Sequence, residues 1–326
     1  MNPLEGLDLP HLRADLERVE AQLAAAVHHD DPLLGQVAPH LVRAGGKRVR
    51  PALTLSAAYA TLGTDRPATD AAVAGAVAVE LVHLGSLYHD DVIDEADTRR
   101  GVPSVNARWS NVVAILSGDF LLARASALAA SLGADVAGLL ATTIGELCRG
   151  QVLELQHLFD VGRTEHDYHS AIDGKTAALF ATSCRIGAMV TEAASATIDA
   201  LTEFGRRTGL CFQIIDDVLD LVASESDLGK PAGHDLLEGV FTLPVIYALR
   251  TSEPLRDLLT QPADADRAEQ ARILACADGA VQGALDAAGT EAQRARAALA
   301  HCDAHLDATS CAALARLVDG LVTRRA

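Results

Sequence analysis

The sequence predicts an all-α fold, a single-domain helical bundle over residues 1–326, and three observations carry that reading. Alanine and leucine dominate while only 3% of residues are aromatic, and both lose little on entering a helix. Apolar residues recur at helical spacing along most of the chain. No stretch shows sustained period-two alternation between turn signals, so no sheet is supported.

The elements follow in order. Leu12, Leu16, Val19 and Leu23 fall on one helical face between Leu9 and about Val27. Gly45-Gly46-Lys47-Arg48 punctuates the chain before a second helix after Pro51, a residue suited to a first helical turn. Asp70 can cap a long helix, Gly101-Val102-Pro103 marks a loop, and a long apolar helix follows from about Val105. Further helices are expected over Asp135–Phe159, Glu165–Ala171, Thr176–Thr191, Ile198–Val222 and Thr242–Thr251, then several shorter pieces. Ser252–Pro254 and Pro262–Arg267 read as solvated turns. No low-complexity linker divides the chain.

Composition excludes some classes. A net charge of −17 argues against nucleic acid, which needs a basic stripe to neutralise phosphates. The six cysteines include no CxxC pair and lie mostly in helical apolar stretches, which suits buried free thiols in a reducing, cytoplasmic setting. The spacing of His301, Cys302, His305 and Cys311 fits no zinc pattern. The N-terminus lacks a basic region followed by an apolar stretch. The most apolar windows, about Ala71–Leu87 and Asn111–Leu147, are broken by charges such as Glu80 and Asp119, and read as core helices.

Two DDxxD motifs stand out, Asp90–Asp94 and Asp216–Asp220. At about 100° per residue, Asp90, Asp91 and Asp94 share roughly a 100° arc, as do Asp216, Asp217 and Asp220 with Gln213 one turn earlier. His83 lies seven residues before Asp90 on nearly the same face. Three carboxylates on one stripe repel each other. A hard divalent cation such as Mg²⁺ resolves that conflict while bridging to substrate phosphates. The bland alternative is a solvated acidic face, but two copies inside otherwise apolar helices sit beside a core, where unpaired charge is costly.

Cations complete the pattern. Lys47, Arg48 and Arg50 flank the Gly45-Gly46 pair, and Arg99-Arg100-Gly101 can fold back over the first acidic motif. Arg forks match phosphate oxygens. Lys175 and Thr176, and then Lys230, lie at glycine-marked helix edges, while no GxxxxGK[ST] supports a P-loop.

These segments, GGKRVRP, ELVHLGSLYHDDVIDEADTRRG, DGKTAALF, FQIIDDVLD and LGKPAGHDLLEGVFTLP, resemble those of the trans-isoprenyl diphosphate synthases, the polyprenyl synthetase family. The resemblance implies an all-helical fold around a central apolar cavity with the acidic motifs facing each other across its mouth. It implies that Asp90, Asp94 and Asp216 bind Mg²⁺, three ions when substrate is bound, with Asp91, Asp217 and Asp220 in support. Arg99, Lys175, Thr176, Gln213 and Lys230 would contact an allylic diphosphate. Lys47, Arg50, His83 and Arg100 would hold isopentenyl diphosphate, and Gln151 and Glu154 resemble a polar pair nearby. The implied reaction is ionisation, condensation and elimination, with released diphosphate as base, in a homodimer that meets a membrane transiently when product leaves. One departure is Val240, where the family often carries Lys after Glu-Gly.

In the family, bulky residues one turn before the first aspartates stop chain growth; Gly85 and Ser86 leave room here, which points to a product longer than farnesyl diphosphate. A geranylgeranyl diphosphate synthase is the alternative. A class I terpene cyclase is disfavoured because FQIIDDVLD is not an NSE- or DTE-type triad. A silent partner subunit would have no need of all six aspartates.

Overall fold

The computed structural model describes residues 3–222, 233–260, 264–277, 279–301 and 306–323. Its major helices are α1 (Leu12–Ala26), α2 (Val49–Leu62), α3 (Asp70–Ile93), α4 (Asn111–Ser131), α5 (Ala134–Gln156), α6 (Glu165–Ile172), α7 (Ala178–Met189), α8 (Ser195–Val222), α9 (Leu243–Ala248), α10 (Ala265–Ala275), α11 (Ala280–Ala300) and α12 (Ala308–Val322). Helix α3 packs on α2, α4 and α7, while α8 is clasped between α7 and α11. The main core fills these interfaces, with Leu53, Leu55, Leu81, Leu84, Phe180 and Phe204 fully buried. A smaller cluster, with Phe241, Val245 and Leu255, joins it through Tyr247 and Val281.

Several boundaries differ from the sequence reading for local reasons. Thr69, rather than Asp70, caps α3: its side chain accepts from the Ala72 amide at 3.2 Å, while Asp70 takes Arg18 at 2.6 Å. Trp109 and Ser110 split the expected helix from Val105 into Val105–Arg108 and α4, because the Ser110 hydroxyl caps α4 at the Val113 amide. Ser252 likewise caps the short helix Glu253–Leu259, so the expected turn there is a helix start. Among the expected shorter C-terminal pieces, α11 runs for 21 residues.

The Gly101 loop is a minimal antiparallel hairpin, Thr98–Arg99 with Val102–Pro103. Two-residue strands are too short to leave a period-two signature, and Arg100 and Gly101 both adopt positive φ at the turn.

A five-residue π turn, Asp173–Ala177, separates α6 from α7. It rests on α5 at Gly150, where a Cβ would lie 2.2 Å from the Lys175 amide nitrogen. Helices α3 and α4 are each long and apolar enough to cross a membrane. Helix α3 is largely buried in the bundle, whereas α4 buries one face on α3 and leaves Val112, Ile115 and Leu116 exposed.

Candidate active site

Two adjoining cavities of about 570 and 530 Å³ open between the C-terminal ends of α3 and α8. Asp94, Arg99, Lys175, Gln213 and Asp216 line both. The second also takes Lys47, Arg50, His83, Ser86, Asp90, Arg100 and Thr176, and the first adds Asp217 and Glu154. Residues spread over most of the sequence therefore meet at one mouth. Lys230 lies outside the described residues.

The six motif aspartates divide by environment. Asp91 is fully buried and takes the Arg99 Nε–H at 2.6 Å. Asp217, also buried, accepts from the Tyr168 hydroxyl at 2.6 Å and the Gln213 amide at 2.7 Å. Asp220 accepts from the amide of Asp235, in the short helix His234–Leu237, at 3.3 Å. These three hold structure. Asp90 lies at the cavity wall, Asp94 ends α3 as its C-cap, and Asp216 is exposed to the cavity. Helical arithmetic put all six on two equivalent stripes; the structure commits Asp91, Asp217 and Asp220 to protein hydrogen bonds, Asp217 at the cavity wall, and turns Asp90, Asp94 and Asp216 to the mouth.

Burial raises Asp90 above the ordinary carboxylate range, with nearby carboxylates adding to the shift and Lys175 and Arg99 opposing it. Asp94 is pushed up to about 6 by burial, with Glu238 and Asp90 adding and Lys175 opposing. Burial also lifts Asp217 to about 7, against the hydrogen bonds from Tyr168 and Gln213.

Such a donor set fits a hard divalent cation. Asp90, Asp94 and Asp216 present carboxylate oxygens to one cavity. Among the described residues, no three Asp, Glu, His or Cys side chains form a complete metal cluster. Mg²⁺ suits that arrangement, because it keeps several waters and completes its shell with phosphate oxygens.

The basic wall is built on the Gly45-Gly46 turn. Gly46 has φ +155, and a Cβ there would lie 2.8 Å from the Arg100 guanidinium, so the close approach needs glycine. Arg48 adopts φ +50 and is buried. Its guanidinium bonds Glu80 at 2.9 Å and Glu20 at 3.1 Å, clamping the turn between α3 and α1. Tyr88 donates to the Val37 carbonyl at 2.7 Å and fixes the segment leading into it. Arg100 donates to the Leu41 carbonyl at 3.2 Å and also to Gly45.

Arg50 stacks over Phe180, 5.0 Å from the ring centroid. Burial lowers Arg50 to about 10 against the pull of Glu80, a value that keeps it charged at neutral pH. Burial, reinforced by Arg50 and Arg100, holds His83 well below its usual value, so it is a neutral hydrogen-bonding group.

Lys175 pairs with Glu154. Burial works against its charge, but Glu154 and Asp90 outweigh that and raise its pKa. The next residue, Thr176, donates to the Gln213 Oε1 at 2.7 Å. The π turn puts both residues on the cavity.

Ser86 lines the second cavity and also a smaller, mainly apolar channel of about 270 Å³ with Leu147, Cys148, Gln151 and the surface-exposed Ile93, Val152 and Leu155. Gly85 has a different place. It faces α4, where a Cβ would lie 3.1 Å from the Gly118 carbonyl oxygen and 3.2 Å from Leu122. It admits the neighbouring helix, and its position corrects the expectation that it opens the channel beside Ser86.

Sequence reasoning missed Glu20, Glu80, Arg163 and Tyr168, and it counted Arg48 among the cations without its pairing to Glu20 and Glu80. Glu80 did carry a signal, as a charge inside the apolar run of α3, but it lies off the aspartate stripe. Arg163 and Tyr168 sit in a segment with no motif.

A sequence model described as polyprenyl synthetase matches residues 31–278. A nonaprenyl diphosphate synthase of Mycobacterium tuberculosis is 39% identical over 318 residues, covering 96% of this chain and 93% of its own. Heptaprenyl diphosphate synthase component 2 of Geobacillus stearothermophilus is 42% identical over 265 residues, or 81% of each chain. Among solved structures, a polyprenyl synthase of Caulobacter crescentus complexed with calcium and isoprenyl diphosphate superposes with a TM-score of 0.89. It is 34% identical, with 96% of each chain covered.

Proposed function

The chain belongs to the polyprenyl synthetase family, and from that premise we propose that it extends an allylic diphosphate with isopentenyl diphosphate to a medium- or long-chain all-trans product. It is a trans-prenyltransferase of the polyprenyl diphosphate synthase class and depends on a divalent metal. The reading of its residues rests on one observation above others: two carboxylate-bearing helix ends and a buried arginine wall face one mouth that opens into an apolar channel.

We assign Asp90, Asp94 and Asp216 to Mg²⁺, three ions in the loaded site. Bound Mg²⁺ supplies positive charge to diphosphate oxygens and so stabilises the leaving group. Arg99, Lys175, Thr176, Gln213 and Lys230 bind the allylic diphosphate and share that work. Lys47, Arg50, His83 and Arg100 hold isopentenyl diphosphate, bringing its double bond to the carbon that loses diphosphate. Phe180 and Phe212 line the same cavity and keep water from the cation. The released diphosphate takes the proton in this reading; His83, which burial holds neutral, is enclosed by arginines.

Residues 1–326 act as one cytoplasmic domain in this reading. A second copy covers the exposed Val112, Ile115 and Leu116 of α4 as a homodimer, and membrane contact is confined to product release. The term component 2 in the Geobacillus relative's name favours a second reading, in which a partner chain is required. Purified chain incubated with Mg²⁺, farnesyl diphosphate and isopentenyl diphosphate decides between them. Elongated prenyl diphosphate from the chain alone supports the first reading, a C20 limit makes it a geranylgeranyl synthase, and no turnover overturns it.

A further inference from the structure

Arg163 enters none of the roles above. It follows α5 and precedes α6, on a segment with no recognised motif, and its side chain lines the first cavity beside Tyr168, Asp217, Lys175 and Val240. Only 4% of the residue is exposed. Nη1 donates to the Phe241 carbonyl at 3.0 Å, and the guanidinium lies 5.7 Å from the Tyr168 ring centroid. Nε and Nη2 are buried and find no acceptor among the described residues.

An always-charged guanidinium with two unsatisfied buried N–H groups is an expensive arrangement, because burying charge without a hydrogen-bonded partner costs free energy. Packing alone would be served better by an apolar residue of that size. The carbonyl bond and the Tyr168 ring fix the head group, and the remaining donors are those a phosphate oxygen accepts in a forked contact. The neighbouring position, Val240, has no charge to offer that cavity.

We propose that Arg163 is a further anion-binding residue of this site, taking oxygens of the allylic diphosphate or of the diphosphate released from it. It supplies from the α5–α6 connection the cation that position 240 lacks. The proposal rests on the diphosphate reading of the cavity.

The test compares wild type with Arg163→Gln, Val240→Lys and the double variant. Binding of inorganic diphosphate with Mg²⁺ is measured by calorimetry, and KM for farnesyl diphosphate and for isopentenyl diphosphate by steady-state kinetics. Arg163→Gln should weaken diphosphate binding and raise the farnesyl diphosphate KM on the order of ten- to a hundredfold. The isopentenyl diphosphate KM should stay within about twofold, and Val240→Lys should restore much of the loss. An unimpaired diphosphate affinity in folded Arg163→Gln overturns the proposal, as does equal damage to both KM values without rescue. Should Arg163→Gln fail to fold, the Nε–H resonance of Arg163 in wild type, assigned through Arg163→Lys, must shift when Mg²⁺ and diphosphate are added. No shift overturns the proposal. A wild-type chain that binds no diphosphate overturns the reading of the cavity itself, a failure distinguishable from that of Arg163 alone.

Discussion

Replacing Ser86 by Phe tests where the growing tail goes. Ser86 is four residues before Asp90, about 6 Å along α3, and lines both the diphosphate cavity and the apolar channel. Its hydroxyl donates to the His83 carbonyl at 2.9 Å, a local bond whose loss leaves the fold intact. A tail entering the channel buries five carbons per added unit, about 4 kcal/mol at roughly 0.8 kcal/mol each. A phenyl ring at the channel mouth denies the tail that gain, so extension past the blocked step should fall about a thousandfold in kcat/KM. The assay is extraction and sizing of products, with rates for successively longer allylic starters. Short products, with the shortest starter still used well, are expected. A folded Ser86→Phe enzyme with the wild-type product distribution refutes the channel assignment. Gly85→Ala is the control: its methyl group meets α4, so it should cost about 1–3 kcal/mol by overpacking and lower the melting temperature.

Glu80→Gln removes the buried carboxylate that faces Arg48, with Arg50 and Arg100 nearby. Stranding those cations should cost about 3–5 kcal/mol in urea unfolding, and an unchanged midpoint would show that they find other partners. Asp217→Asn should stabilise the metal-free chain while impairing turnover. The fold raises this acid from 3.8 to about 7, so it favours the protonated form. The penalty is absent below pH 3.8, accrues as pH rises, and is complete above about 7, where it amounts to at most about 4 kcal/mol. Melting curves should therefore diverge at pH 8 and converge near pH 4. Chelation of divalent metal should abolish turnover and leave the far-ultraviolet circular dichroism unchanged, because the apolar core joins the helices; loss of helicity would place the metal in the fold itself.

The sequence carried the fold class and most of the mouth, because helical period and clustered charges are local signals. Helix ends were less legible. Thr69 and Ser110 cap helices through single hydroxyl contacts, and neighbouring polar residues looked equally able to do so. Within the site, the motif aspartates were visible, but their division was not. Asp91 and Asp217 are committed to Arg99 and Tyr168, and these contacts depend on how distant segments pack. The same holds for Arg48, whose partners lie 28 and 32 residues away in sequence. Gly85 shows the limit of counting residues along a helix: the count places a residue at a depth, and only the neighbouring helix decides what it faces.

The Arg99–Gly101 hairpin has a consequence for the geometry of bond formation. Arg99 reaches Asp91 on the side of the first acidic motif, while Arg100 reaches Leu41 and Gly45 on the opposite wall. Under the proposed assignment these consecutive residues address the two substrates, and their Cα atoms are held about 3.8 Å apart by covalent geometry. On that assignment the hairpin would act as a ruler, tying the two diphosphate anchors to one peptide unit so that they move together, and the gap between the ionising carbon and the incoming double bond would be kept from one round of elongation to the next.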